Sequence, residues 1–217
     1  MSPAFSIIHQ TDDWLAIAKP EGIGMHTEDD QKGLVVLASE QLGTELWPVH
    51  RLDRVTSGIL LLAKNKPAAA RLSQLFSERK VQKYYLAASA DKPKKKQGWI
   101  KGDMTKSRNG SWKLLRSQDN PAITRFISQH DEHSGLRLYL LKPTTGKTHQ
   151  LRVALKSIGA AILGDQRYAG KPADRTYLHA YAISFEDDGK PVQLSLQPCS
   201  GNWPDLPQAW SSPEQCF

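Results

Sequence analysis

His50-Arg51-Leu52-Asp53-Arg54-Val55-Thr56-Ser57-Gly58-Ile59-Leu60-Leu61-Leu62-Ala63 is the stretch on which the reading of this sequence turns. Its second half, from Gly58, is a compact apolar run bounded by turn residues, which predicts a buried strand. Its first half packs His, Arg, Asp, Thr and Ser side chains into one loop that feeds that strand. Beyond it, Pro67 suits the first turn of a helix, and Ala68, Leu72, Leu75 and Phe76 recur at helical spacing. Before it, residues 5–8 and 14–18 predict two short strands around the turn Thr11-Asp12-Asp13. Pro20 and Gly22 end the second of these, and residues 33–42 predict a helix. Further strands are expected at 81–88, 99–102, 112–115, 123–128, 136–141, 177–185 and 192–196. Thr148 is the expected cap of a helix running to about Ile158. Leu151, Ala154, Leu155 and Ile158 form its apolar stripe, with His149, Arg152 and Lys156 on the opposite face. Strands outnumber helices and adjoin one another, so the expected class is α+β, with a mixed, largely antiparallel central sheet and flanking helices.

The chain has 217 residues. No linker divides it, and a single domain spanning 1–217 is expected, with a basic insert at about 91–117 and a short C-terminal tail from about 198. A chain this long buries roughly 70% of its unfolded surface, so neither disulfides nor metals are needed to hold it. Its most apolar run is five residues, against the ~20 that a membrane span requires. The N-terminal MSPAFSIIHQ shows no basic region followed by an apolar stretch, so no signal peptide is expected. Cys199 and Cys216 form no Cys-x-x-Cys pair, which argues against a structural zinc site and makes the cytoplasm the default compartment.

The net charge is +7, and it is concentrated. Residues 92–116 hold nine Lys or Arg and one acid, Asp103, so that stretch carries +8 and the rest of the chain −1. Trp99 and Trp112 are interleaved with these cations. The pattern suits an arm that grips phosphates and stacks on a base, with Lys94, Lys95, Lys96 and Arg108 as candidate RNA contacts. A solvated lysine-rich hairpin is the plainer alternative.

Asp53 lies between Arg51 and Arg54, and nearby positive charge favours its ionised form. Such a carboxylate can be a nucleophile, a general base or an electrostatic stabiliser, and the residue pattern alone does not choose. No phosphate loop, dinucleotide fingerprint or metal-ligand cluster is present, so no cofactor and no metal are expected.

His50-Arg51-Leu52-Asp53-x-x-Thr56-Ser57-Gly58 resembles the signature of the RluA-type family of RNA pseudouridine synthases. Other segments agree in order and spacing. Asp13, Leu15, Ile17, Lys19, Pro20, Gly22, Ile23 and His26 resemble the family's Lys-Pro-x-Gly motif. Lys83-x-Tyr85-Leu86-Ala87 resembles its Lys-x-Tyr-Leu-Ala segment. Pro143, Gly146, Thr148, His149, Gln150 and Arg152 resemble its Gly-Arg-Thr-His-Gln-Ile-Arg helix start. Gly164-Asp165-x-x-Tyr168-x-Gly170 and Leu178-His179-Ala180 complete the set, which covers about residues 6–197. The resemblance implies the pseudouridine synthase fold, with an active-site cleft across the sheet. It implies a reaction on a uridine of ribosomal or transfer RNA, with no nucleotide cofactor.

Carried over position by position, the resemblance makes Asp53 the catalytic aspartate. Arg51 would enter the RNA stack and hold the target uridine flipped out. Tyr85 would lie against the uracil or assist proton transfer, and Arg152 would pair with Asp53 across the cleft. Leu178 would pack beneath Tyr85. Arg54, His50 and Thr56 join the substrate-binding set, although His50, His149 and His179 are expected chiefly to make structural hydrogen bonds.

Two departures stand out. The Lys-Pro motif starts too early for an S4-like module to be expected before it, and Lys147 stands where the family often has Arg, which keeps charge but loses bidentate geometry. Two rival readings come from other classes. One is a non-catalytic RNA-binding or RNA-chaperone protein. The other is a metal-dependent nuclease or glycosidase that uses acids such as Asp53 and Asp165 as a pair. RNA is the expected partner, no membrane association is expected, and a monomer is the default.

Overall fold

The computed structural model describes residues 5–28 and 30–217. The reading of the N-terminal ten residues therefore falls partly outside the described residues. The elements run in chain order as β1 Ser6–Gln10, β2 Trp14–Lys19, α1 Leu34–Leu42, β3 Trp47–Pro48, β4 Ser57–Ala63 and α2 Lys66–Ser77. They continue as β5 Gln82–Ser89, β6 Gly98–Gly102, β7 Met104–Lys106, β8 Trp112–Leu114, β9 Ala122–His130 and β10 Arg137–Pro143. Then follow α3 Gln150–Ser157, β11 Leu178–Asp187 and β12 Lys190–Ser195, with short 3-10 turns among them and after. The α+β expectation is met.

The chain forms two compact units: residues 1–82 with 180–198, and residues 83–179 with 199–217. In the first, the strand order is β1-β2-β4-β11, with β12 on β11 and β3 on β4. β2 pairs antiparallel with β4 from Trp14↔Ala63 to Lys19↔Gly58. All seven residues of β4 are buried, as its unbroken apolar run predicts. Ile59, Leu61 and Ala63 pack with Trp14, Val49, Ala68, Leu72, Ile183 and Phe185 into one cluster. Leu60 and Leu62 are equally inaccessible from the other face. Each such leucine contributes about 1.5–3 kcal/mol. Asn65 caps α2 by accepting the Ala68 N–H, 2.8 Å, and Pro67 follows inside the first turn.

Gly58 shows why the loop must end in glycine. Its φ is +113°, and a Cβ placed there would lie 2.3 Å from the carbonyl oxygen of Ala180. Gly58→Ala is expected to lower stability by about 3 kcal/mol or more, combining a strained backbone with a clash against main chain that cannot give way. Urea unfolding measures it, and a midpoint equal to wild type would show that the loop relaxes without cost.

In the second unit the order is β5-β10-β9-β6, antiparallel throughout. β7 and β8 form a separate hairpin, with Lys106 opposite Trp112. The sequence reading predicted no strand at β7. Residues 199–217 are a packed part of this unit. The Trp203 ring lies 5.0 Å from that of Tyr177, the Tyr177 hydroxyl accepts the Asn202 N–H at 2.8 Å, and Trp210 is buried.

The expected cap of α3 is corrected. The helix begins at Gln150, and the residue before it is His149, in a left-handed conformation with no side-chain cap. The Gln150 side chain anchors this end instead. Its oxygen accepts from the Thr145 hydroxyl, 2.7 Å, and the Lys147 N–H, 3.0 Å. Its amide nitrogen donates to the Ile123 carbonyl, 3.0 Å, and the Thr124 hydroxyl, 3.1 Å. All four positions of a buried amide are filled, so the helix start is tied to β9. On the face of α3 opposite the apolar stripe, Lys156 is exposed but Arg152 is buried, at 4% exposure.

Candidate active site

The loop before β4 places Asp53 half-buried between the exposed Arg51 and Arg54, while Leu52, Thr56 and Ser57 are buried. A turn closes it, with the Thr56 N–H donating to the Asp53 carbonyl at 3.0 Å. His50 is fixed behind it. Its Nε2 accepts the Leu61 N–H at 2.9 Å, and its ring stacks on Phe76 at 4.4 Å. That arrangement matches the structural hydrogen bonding expected of this histidine.

The most informative residue here is one that the motif reading quotes without giving it a task. Lys19 ends an otherwise apolar strand and is 1% exposed. Its ammonium donates to the carbonyls of Pro20, 2.8 Å, Thr56, 2.9 Å, and Arg54, 3.3 Å. A buried ammonium must be saturated with acceptors, and here two of the acceptors are main-chain carbonyls of the loop just after Asp53. Arg54 adds a second clasp. Its Nε donates to the Gly22 carbonyl and its own carbonyl accepts the Gly22 N–H, each at 2.8 Å, while Nη2 reaches Gln31. The Lys-Pro-x-Gly segment is thus the brace of the aspartate loop. A lysine at the end of a run of buried residues is the signal that could have revealed it.

Tyr85, Arg152 and Leu178 belong to the second unit. Tyr85 is half-buried on β5, opposite Leu141, and Leu178 is buried at the start of β11. Arg152 forms a bidentate pair with Asp165, with Nε–Oδ2 at 2.7 Å and Nη2–Oδ1 at 2.8 Å. Asp165 is 2% exposed. Both of its oxygens are held by the guanidinium, which argues against its use as half of a metal-binding carboxylate pair. As the third residue of α3, Arg152 sits at the positive end of the helix dipole, and the Asp165 carboxylate offsets that. Gly164, just before Asp165, packs against other main chain, since its φ is +77° and a Cβ would lie 1.7 Å from the Arg175 carbonyl oxygen.

Tyr168 completes this cluster. Its ring lies 4.9 Å from the Arg152 guanidinium. Its hydroxyl accepts the Trp112 N–H at 3.0 Å and lies 2.8 Å from His149 Nδ1. The β7–β8 hairpin is therefore tied to the element that orients Arg152. His179 is buried and lies edge-on to Trp203 at 6.4 Å. Lys83 stands two residues from Tyr85, and burial holds its ammonium below the ordinary lysine range.

All nine basic residues of 92–116, including Lys94, Lys95, Lys96 and Arg108, are exposed. Asp103, the one acid among them, accepts the N–H groups of Asn120, 2.8 Å, and Asp119, 3.1 Å. The Ser117 hydroxyl, followed by those backbone groups, keeps its carboxyl below the usual range. The acid closes the base of the hairpin through the 119–120 backbone. Among the described residues no helix is long and apolar enough to cross a membrane.

Comparison with known proteins places these features in a family. The family profile described as RNA pseudouridylate synthase matches residues 13–157. A protein of Haemophilus influenzae named as an uncharacterized RNA pseudouridine synthase is 50% identical over 200 residues, 91% of this chain and 89% of that protein. The ribosomal large subunit pseudouridine synthase C of Rickettsia bellii is 34% identical over 203 residues, 88% of this chain and 67% of that protein. Among solved structures, human RNA pseudouridylate synthase domain containing 1 superposes with a TM-score of 0.77 at 27% identity, over 90% of this chain and 84% of that one. The profile covers the braced Asp53 loop, the Tyr85 strand and Arg152 together. On these grounds the chain belongs to the RluA-type family of RNA pseudouridine synthases, isomerases that act on RNA.

Proposed function

We propose that the protein converts a specific uridine of structured RNA to pseudouridine, with Asp53 as the catalytic carboxylate and the target base flipped out of its stack. The observation that carries this reading is the Asp53 loop itself, a half-buried carboxylate whose main chain is held by the buried Lys19 ammonium and by Arg54. Such bracing fits a group that must meet a reacting atom with little freedom. The reaction breaks N1–C1′, turns the uracil and joins C5 to C1′. The proton lost from C5 is balanced by one gained at N1, so no redox partner is needed. Cleavage builds positive charge on the sugar, which a carboxylate stabilises. Asp53 serves equally in covalent attack at C1′ or in removal of the C2′ proton to give a glycal.

Extruding the base costs a few kcal/mol, and the exposed Arg51 is assigned to the vacated stack. Tyr85, Arg152 and Leu178 are assigned to the same uridine, and Arg54, His50 and Thr56 support substrate binding. Large-subunit ribosomal RNA is the first substrate to test, because relatives in Rickettsia are named for it, with transfer RNA second. The working form is proposed as one cytoplasmic monomer that acts as a single catalytic domain.

The test is a single-nucleotide pseudouridine map of cells lacking the gene, complemented with wild type or with Asp53→Asn. A position in ribosomal or transfer RNA that regains the mark only with wild type supports the reading. A complete map in the deletion strain would favour an RNA-binding protein without catalysis.

The basic arm yields a separate expectation. Replacing Lys94, Lys95 and Lys96 with Gln should weaken RNA binding and reduce the slope of log K against log salt by up to about 0.7–0.9 per charge removed, with kcat nearly intact. An unchanged salt titration would make these residues a solvated turn.

A further inference from the structure

The second unit carries a row of alternating rings and cations across one face of its sheet. Trp99 on β6 pairs with Arg125 on β9, and Arg125 pairs with Lys142 on β10. Tyr85 pairs with Leu141, so Tyr84 continues the row beside Lys142 while Tyr85 points to the opposite face. The Arg125 guanidinium lies 5.5 Å from the Trp99 ring and 5.6 Å from that of Phe217. The Lys142 ammonium lies 5.8 Å from the Phe217 ring and 5.3 Å from the Tyr84 ring. Phe217 and Tyr84 stack at 6.0 Å and 24°. Each link falls within cation–π or stacking range.

The two ends of the row differ. Tyr84 is 2% exposed and Trp99 is 44% exposed, on the last strand of the sheet order. Lys101 stands over the open end, with its ammonium 5.0 Å from the Trp99 ring, and Lys95 donates to the Trp99 carbonyl. A lone exposed indole would need no explanation. This one is held by the half-buried Arg125 and flanked by the exposed Lys95 and Lys101. Trp112, which the sequence reading treats alongside it, is half-buried.

We propose that Trp99, with Lys101 and Arg125, is a stacking site for an unpaired nucleobase of bound RNA. The base extends the row at its open end, and the two cations meet the flanking phosphates. This rests on the RNA-modifying reading above. The site lies on the sheet face opposite Tyr85, so the bound strand passes around the β6 edge and the RNA footprint exceeds the target nucleotide. The occupant is RNA because an exposed π-face among cations is complementary to a base and its phosphates.

Full-length protein is titrated with a fluorescent single-stranded oligouridylate and with an RNA duplex of equal length. Trp99→Ala, with wild-type melting, is expected to bind the single strand about tenfold more weakly and the duplex unchanged. Trp99→Phe should retain most of the affinity. A 4-thiouridine version of the oligomer should cross-link to the peptide that carries Trp99. Unchanged single-strand affinity, an equal loss on both probes, or adducts elsewhere only would overturn the proposal. So would a Trp99→Ala variant that turns a dimer into a monomer without altering RNA affinity, which would assign the surface to a second copy. Binding is read here without turnover, so failure of this site leaves the synthase reading standing.

Discussion

Asp53→Asn is expected to lower turnover by more than about 10³-fold while RNA affinity and melting temperature stay near wild type. That is about 4 kcal/mol of transition-state stabilisation. The substitution keeps shape and removes the charge, so it isolates what the carboxylate does as the glycosidic bond opens. The fold should tolerate it, because the loop is held by main-chain acceptors on Lys19 and by the Gly22–Arg54 clasp, none of which uses the Asp53 side chain. Single-turnover assays on the RNA found by mapping would measure the effect. Activity within about tenfold of wild type would remove Asp53 from the chemistry.

Asp165→Asn should destabilise the protein by about 3–5 kcal/mol, because it breaks a buried, bidentate ion pair by removing the charge of one partner. For a chain of this length that corresponds to a drop in melting temperature of roughly 10 °C. Tyr168 beneath Arg152 offsets part of the loss, by ~0.5–2 kcal/mol. The double variant Arg152→Met with Asp165→Leu is expected to melt above the single Asp165→Asn variant, although Arg152 is then lost to substrate. That order separates the cost of breaking the pair from the net strength of the pair. A single variant melting within about one degree of wild type would mean that water reaches Arg152 and screens it.

The strands were legible where apolar runs are long. The residues from Gly58 to Ala63, the two strands around Thr11 and the helix after Asn65 all follow from local pattern. β7 was not, because three residues in a basic run carry no periodic signal. The cap of α3 was misread for a different reason. Thr148 is a good local capper, but Gln150 outcompetes it through contacts with Thr145, Ile123 and Thr124, up to 27 residues away. The candidate site divides in the same way. Asp53 and its neighbours were legible because one loop concentrates them. The Lys19 brace and the Asp165 partner of Arg152 depend on pairings across 37 and 13 residues, which no local pattern encodes.

The first unit is closed by residues 180–198, and this has a consequence during synthesis. β4 lies between β2 and β11, but β11 emerges from the ribosome only about a hundred residues after it. At ordinary elongation rates that interval is roughly ten seconds. Throughout it, β3 covers only the Leu62–Ala63 end of the edge that awaits β11, and the rest of the apolar strand is the kind of segment that recruits strands from other chains. Chaperone shielding of the nascent chain is the expected remedy, and slower translation across 83–179 would lengthen the exposure.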